Sequence, residues 1–540
     1  MLAKDSFIKG TIILAAAALV ARVLGIAQRI PLEHLLDDIG QSAFASANNI
    51  YLILLALATA GVPSTLSKMV SERYAMNRPA EAKRVYQAAL YFSAGVGVVI
   101  TLLLFFFAPY YARLTKLPEA TAAIQALAPA LLLFPTIAMM RGYFQGRNFM
   151  TPGGISQIVE QIARVVTGIG LAYILIHFGY NDPLAAAGAT FGGVLGSLAA
   201  FAVMLAFALR LRRQDKLNHE LAADTTIPLG TIYKAIFTLS IPIVLSSVTV
   251  PSVNFLDTSL VKPLLNGVIG PEEATAALAV LGTRAQSIAG IPPILAVALA
   301  QSLIPIISAA YARKDEQHLQ HQVTLALRVA ILSGMPVVLV LAAAAYSLNG
   351  LLFSSIEGTG IIMMLTLTTI FQITMVTSGS ILLGTGKAKI TVKHVIVGLL
   401  VKLAGSYLLS PLLGIYGIIA ATALCFLVIT ILNVRTIKSI VSFSILGTRW
   451  IAFGMTVLIA FGAGYGTEGF SRQLVNVMPD RLAFLIVCAI VGIVVGALYL
   501  LLLIILGVVR QAELKGYPRV LQKVLRPLMR LAPSAFRQKG

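Results

Sequence analysis

Basic residues inside otherwise apolar runs are the placements in this chain that most demand a chemical reason. Arg22 and Arg29 share one such run, and Arg164, Arg284 and Lys402 each occupy another. A charge at the centre of a membrane-spanning helix costs ~2.5–3.5 kcal/mol on insertion scales, so each needs a partner or a wet cavity. Glu160 stands one turn before Arg164, and that spacing predicts an internal ion pair. Arg29 lies near the end of its run, where its long stem could also carry the charge to the interface. Arg22 and Arg284 have no acidic residue within four positions, and Asp257 is the nearby acid that could offset them. Basic groups therefore outnumber acidic ones inside the runs. Surplus positive charge in a cavity selects an anion, and a guanidinium suits phosphate oxygens through paired hydrogen bonds. Arg22, Arg29, Arg284 and Lys402 form the expected anion-binding set, with Asp257 as a candidate for ion coupling.

The remaining reactive residue types form no catalytic constellation. His34, His177, His219, His318, His321 and His394 are scattered, and no paired carboxylates or ligand-spaced clusters accompany them. Cys425 and Cys488 both lie in apolar runs and imply neither a disulfide nor a metal site. The glycine-rich GGVLG stretch from Gly192 reads as a helix-packing surface, because it lies within an apolar helix. No enzyme activity, metal or cofactor is expected.

These charges must be positioned by membrane-spanning helices. Hydrophobic residues make up 58% of the 540 and charged residues 11%, too little polar surface to cover a water-soluble globule. At ~20 apolar residues per span the chain holds about fourteen. Their centres fall near Val20, Leu54, Val99, Leu132, Thr167, Gly196, Leu245, Ile294, Val340, Phe371, Leu400, Ala423, Ile459 and Val495. The first run continues past Arg22 to Ile30, which marks a retained helix and not a cleaved leader. Pro292, Pro293 and Pro305 should kink or break the long run from Ala274 to Ala310.

Lys and Arg concentrate in every second gap, as at Lys83 and Arg84, Arg212 and Arg213, and Arg435 and Lys438. Retention of basic loops on the inside then places both termini in the cytoplasm. The formal net charge of +20 points to anionic lipid head groups, not to nucleic acid. From Arg510 to Gly540 the apolar positions Val520, Leu521, Val524, Leu525 and Leu528 recur at helical spacing among Arg and Lys. That pattern predicts a basic amphipathic helix lying on the membrane face.

The chain also repeats itself. FPTIAMMRGYFQG from Phe134 and FQITMVTSGSILL from Phe371 keep Phe134/Phe371 and Gly142/Gly379 at one constant offset, which also pairs Leu90 with Leu327. GVPSTLSKMVSERYA from Gly61 and LIPIISAAYARKD from Leu303 pair Pro63 with Pro305. Equivalent spans have equal parity, so two halves would face each other about an axis normal to the membrane. The expected fold is an all-α polytopic membrane protein of two six-helix lobes around a central cavity, plus two extra C-terminal helices. The lobes are assigned to 1–225 and 226–440, the extra spans to 441–509 and the basic tail to 510–540.

Several stretches together resemble a known family. ARVLGIAQRIPLEHLL from Ala21, AGVPSTLSKMVSE from Ala60 and GYFQGRNFMTPGGISQIVEQIAR from Gly142 are similar to the polysaccharide-transporter branch of the MOP flippase superfamily. Within that branch they resemble the stage V sporulation protein B group and MurJ-type lipid II flippases, and LSIPIVLSSVTVPSVNFLDTSLV from Leu239 extends the likeness. The resemblance implies alternating access and movement of an undecaprenyl-pyrophosphate-linked saccharide, lipid II above all, in the bacterial cytoplasmic membrane. It implies cavity arginines on the first and eighth spans, to which Arg22 and Arg284 correspond; Arg29 is displaced by one position from the second arginine of the family's motif. Asp257 is similar to an acid that helps bind sodium in some members, but Lys402 and His394 stand where acidic partners would be expected. Cell-wall synthesis enzymes would be partners. The alternatives are a multidrug antiporter of the same superfamily, a flippase for another polysaccharide precursor, a lipid-linked sugar transferase and a non-transporting scaffold.

Overall fold

The computed structural model describes residues 7–59, 61–217, 228–471, 473 and 478–509. The expected tail helix after Arg510 lies outside the described residues. Ten of the described helices are long and apolar enough to cross a membrane, and every predicted span centre falls inside a helix. This is an all-α, multi-pass membrane fold.

The chain divides into two compact units at Thr283/Arg284. The first unit runs through α1 (Phe7–Leu35), α2 (Asp38–Thr59), α3 (Val62–Ala75), α4 (Pro79–Leu114), α5 (Ala120–Leu127) and α6 (Ala130–Gly146). It continues with α7 (Thr151–His177), α8 (Asp182–Leu217), α9 (Leu229–Ser247), α10 (Thr249–Leu265) and α11 (Pro271–Ala279). A π-helical turn, Val280–Ala285, follows α11. The second unit holds α12 (Gln286–Ala289), α13 (Pro293–Ala312), α14 (Glu316–Ala343), α15 (Ala345–Phe353) and α16 (Thr359–Gly384). It ends with α17 (Ala388–Leu413), α18 (Ile415–Lys438), α19 (Trp450–Ser471) and α20 (Asp480–Ile505).

The predicted disruption of the eighth span is present, and it is double. The helix widens at the π turn and then breaks between Gly290 and Pro292 before α13 begins at Pro293, the first-turn position where proline costs no hydrogen bond. Helix α13 then runs unbroken through Pro305. The seventh span is likewise two helices, α9 and α10.

In a membrane, helices gain little from burying apolar side chains, so close packing through small residues does more of the work. The tightest crossing in the first unit is α7 on α8. A Cβ on Gly192 would lie 2.6 Å from Gly168 Cα, and one on Gly196 would lie 2.8 Å from the Glu160 carbonyl. The GGVLG stretch is thus a packing surface, as expected. Helix α3 crosses α6 the same way: Cβ atoms on Gly142 and Gly146 would fall 2.6 Å from the carbonyls of Pro63 and Ser67. In the second unit α13 crosses α16 at Gly384, where a Cβ would lie 2.9 Å from Ile307. The repeated segments therefore make the same kind of crossing within each unit, although the second uses Gly384 and not Gly379.

Polar side chains within the spans are satisfied largely by their own helix. On α16, Thr366, Thr377 and Ser380 donate to the carbonyls of Ile362, Ile373 and Val376, one turn earlier. The last two spans are keyed into the second unit by buried polar contacts. The Glu468 carboxylate accepts the Ser347 N–H at 2.8 Å, capping the start of α15, and Tyr499 OH donates to the Leu332 carbonyl at 3.1 Å.

Gly192→Leu should remove most folded protein, because backbone atoms of α7 occupy the space its side chain needs. Gly170→Leu, with nothing within 4 Å of its would-be Cβ, should be tolerated. Detergent-solubilised yield and thermal melting of the two variants check this; overpacking costs about 1–3 kcal/mol or more.

Candidate functional site

The candidate site grows from the far end of α1, where it meets the π turn. In an α-helix each carbonyl is bonded to the N–H four residues on, whereas the wider π turn disturbs that ladder and recurs at functional sites. A carbonyl has a second lone pair, and here Arg29 uses it. Its Nη1 donates to the carbonyls of Gly282 at 3.0 Å and Thr283 at 3.2 Å. One turn further on α1, the buried carboxylate of Glu33 accepts from Thr283 Oγ1 at 3.1 Å.

Helix α2 completes the cluster. Gln41 Nε2 donates to the Leu36 carbonyl at 2.9 Å, bracing the α1–α2 corner, and its amide oxygen lies 3.4 Å from Thr283 Oγ1. Ser42 Oγ donates to the Thr275 carbonyl at 3.1 Å. The missing side chain of Gly282 permits the approach, since a Cβ there would lie 2.4 Å from Ala45 Cβ. Asn49 Nδ2 reaches Thr258 Oγ1 at 3.5 Å, beside the buried Asp257. Together these contacts tie α1 and α2 to α10, α11 and the π turn within the first unit.

A second polar cluster lies deeper in the same unit and corrects an expectation. Glu160 and Arg164 do not form an ion pair with each other. Glu160 pairs with Arg141 of α6, Nη2 to Oε2 at 2.8 Å, while Arg141 Nε donates to Ser156 Oγ, also at 2.8 Å. Arg164 instead donates to the hydroxyl of the buried Tyr51, and its guanidinium lies 4.8 Å from the Tyr51 ring centre and 5.9 Å from that of Phe134. Spacing of four places two residues on one face of a helix; the neighbouring helices decide which way each side chain turns. Gly192, Gly193 and Gly196 make room for Arg164 on α8.

Lys402 is fully buried in the second unit, on a buried stripe of α17 with Ser406 and Ser410, and its Nζ donates to the Ile418 carbonyl of α18 at 2.8 Å. Two turns before it on the same helix, His394 Nδ1 meets Asn433 Oδ1 at 2.8 Å, and Asn433 Nδ2 donates to Ser378 Oγ at 3.1 Å. Arg284 is half-buried in the π turn. Arg22 falls within α1, but its side chain lies outside the described residues.

Sequence reasoning missed Arg141, Glu33 and Glu468, each near a helix end where a charge reads as a loop residue. It also missed Arg147, which pairs with Asp215 through two bonds of 2.7 Å and stacks 4.7 Å from the Tyr74 ring centre. Burial opposes the Arg147 charge, but the hydrogen bonds to Asp215 outweigh it and hold this guanidinium above its usual range.

Residues 7–311 match the family described as Polysaccharide biosynthesis protein, and residues 242–408 match MatE. Stage V sporulation protein B of Bacillus subtilis (strain 168) is 25% identical over 97% of this chain and 100% of its own length. Lipid II flippase MurJ of the same organism is 24% identical, over 78% of this chain and 80% of its own. A solved structure of lipid II flippase MurJ in an inward closed conformation superposes with a TM-score of 0.64 at 14% identity, covering 90% of this chain and 98% of that one.

Removing one partner of a buried ion pair strands the other, at a cost of about 3–5 kcal/mol, whereas replacing both with apolar groups is far milder. Glu160→Met alone should therefore lower the amount of folded protein more than Arg141→Met combined with Glu160→Met. Quantitative immunoblotting of membranes, with melting of the purified variants, checks the order.

Proposed function

The chain belongs to the polysaccharide biosynthesis protein family, in the polysaccharide-transporter branch of the MOP flippase superfamily, and from that premise we propose that it flips a lipid-linked saccharide. The cargo is an undecaprenyl-pyrophosphate-linked saccharide, lipid II in the first instance, carried from the cytoplasmic to the outer leaflet by alternating access of two six-span lobes. The protein sits in the bacterial cytoplasmic membrane with both termini inside, and anionic lipid head groups are the partner its net charge of +20 calls for.

The observation that carries this reading is the guanidinium of Arg29, held within the first span against the π turn to which Arg284 also belongs. Arginines on spans one and eight suit the pyrophosphate common to such cargos. The MatE match gives the multidrug antiporter reading its footing. An antiporter for cations needs carboxylates to exchange them. Here Glu160 is committed to Arg141, Glu33 to Thr283 and Glu468 to a helix N-terminus, which leaves the buried Asp257 as the candidate for ion coupling and favours an anionic cargo.

The direct test is rescue of cells depleted of their own lipid II flippase. The unaltered chain should restore growth; failure at normal expression would overturn lipid II as cargo. In that assay Arg22→Ala and Arg284→Ala should each abolish rescue while leaving membrane abundance unchanged. Lys at either position should restore it only in part, because an ammonium cannot make the paired contact.

A further inference from the structure

Two buried donors in the interior of the first unit lack an acceptor among the described residues. Arg164 Nε is one. The other is the hydroxyl of Tyr51, a residue only 1% exposed, which accepts from Arg164 Nη2 and shows no acceptor for its own proton there. A buried donor left unanswered carries its full desolvation cost, and more when the group is charged. Charge makes the same demand. Glu160 attracts both arginines but pairs with Arg141, and away from their ends α2, α5, α6, α7 and α8 carry no other acid. Arg164 is thus the surplus cation of this cluster, and the Tyr51 and Phe134 rings offer it only partial negative charge.

We propose that this unit holds a chloride ion on the Nε/Nη2 edge of Arg164, with the Tyr51 hydroxyl donating as a third ligand. A Cβ on Gly193 of α8 would stand 3.7 Å from both nitrogens, in front of the edge through which a guanidinium grips an anion with two N–H groups. Glycine leaves that place open, and the Leu127 Cδ1 methyl bounds it, 2.9 Å from where the Cβ would be. A carboxylate or phosphate would bring several oxygens into a hollow walled by leucine and glycine, and each oxygen would need a donor. A halide carries one charge and asks for no directed bonds. The ion neutralises Arg164 and so makes the packing of α2, α6, α7 and α8 depend on chloride. It is separate from the cargo arginines of spans one and eight.

The test uses the full chain purified in detergent. Radioactive chloride is counted on it by scintillation proximity in gluconate buffer, and melting is compared in potassium chloride and potassium gluconate of equal concentration. The parent should bind chloride and melt about 2–4 °C higher in the chloride salt. Arg164→Met removes the surplus charge, and Gly193→Ala fills the hollow while displacing only the flexible end of Leu127. Both should bind no chloride and melt alike in the two salts; if Arg164→Met does not fold, Gly193→Ala decides. Arg284→Ala should keep both responses. A parent that binds no chloride overturns the proposal. So does binding that survives in Gly193→Ala or vanishes from a folded Arg284→Ala protein, because that ion sits elsewhere. Chloride that binds yet leaves melting unchanged overturns its part in the packing.

Discussion

Hydrocarbon offers no water to a polar group, and that constraint governs this structure. Every charge carried into the spans must be answered by the protein, and the answers divide into kinds. Arg141 and Glu160 answer each other and close a pair. Arg164 is met by a phenol and two aromatic rings, and Lys402 by a backbone carbonyl. Arg29 rests on the edge of a widened helical turn. The first kind is complete in itself, with strong charge complementarity and little left to offer a ligand. The Arg29 contact is different in character, because its guanidinium is received in part by backbone carbonyls of a widened turn.

The polar contacts are possible because the helices come close. Glycines at the α7–α8 and α3–α6 crossings bring backbones together, so side chains that would otherwise face lipid reach the next helix. Arg164 occupies a hollow lined by three glycines of α8, so the packing surface and the buried cation are one feature. At the π turn, Gly282 plays the same part against α2.

Much of the fold was legible in the sequence, because hydropathy and proline report on the single helix. Span centres, the broken eighth span and the GGVLG packing face follow from residues acting locally. The partners of the buried charges did not, since they depend on which helices lie side by side. Glu160 and Arg164 are neighbours on α7, yet Arg141 arrives from α6 and takes the carboxylate. For Lys402, the carbonyl it bonds belongs to α18 and not to its own helix. The π turn has no sequence signature beyond the adjacent polar residues Thr283 and Arg284, and Glu33 and Glu468 read as loop acids because they stand at helix ends.

The Arg141–Glu160 pair also bears on how the chain enters the bilayer. Helices α6 and α7 are joined by the short turn from Arg147 to Met150, and each brings one of the two charges. Inserted one after the other, each helix would carry its charge into lipid alone, at up to ~2.5–3.5 kcal/mol apiece. Delivered as a hairpin, they neutralise one another before lipid is met. The same hydrogen bond that steadies the finished protein thus favours entry of these two helices into lipid as one hairpin.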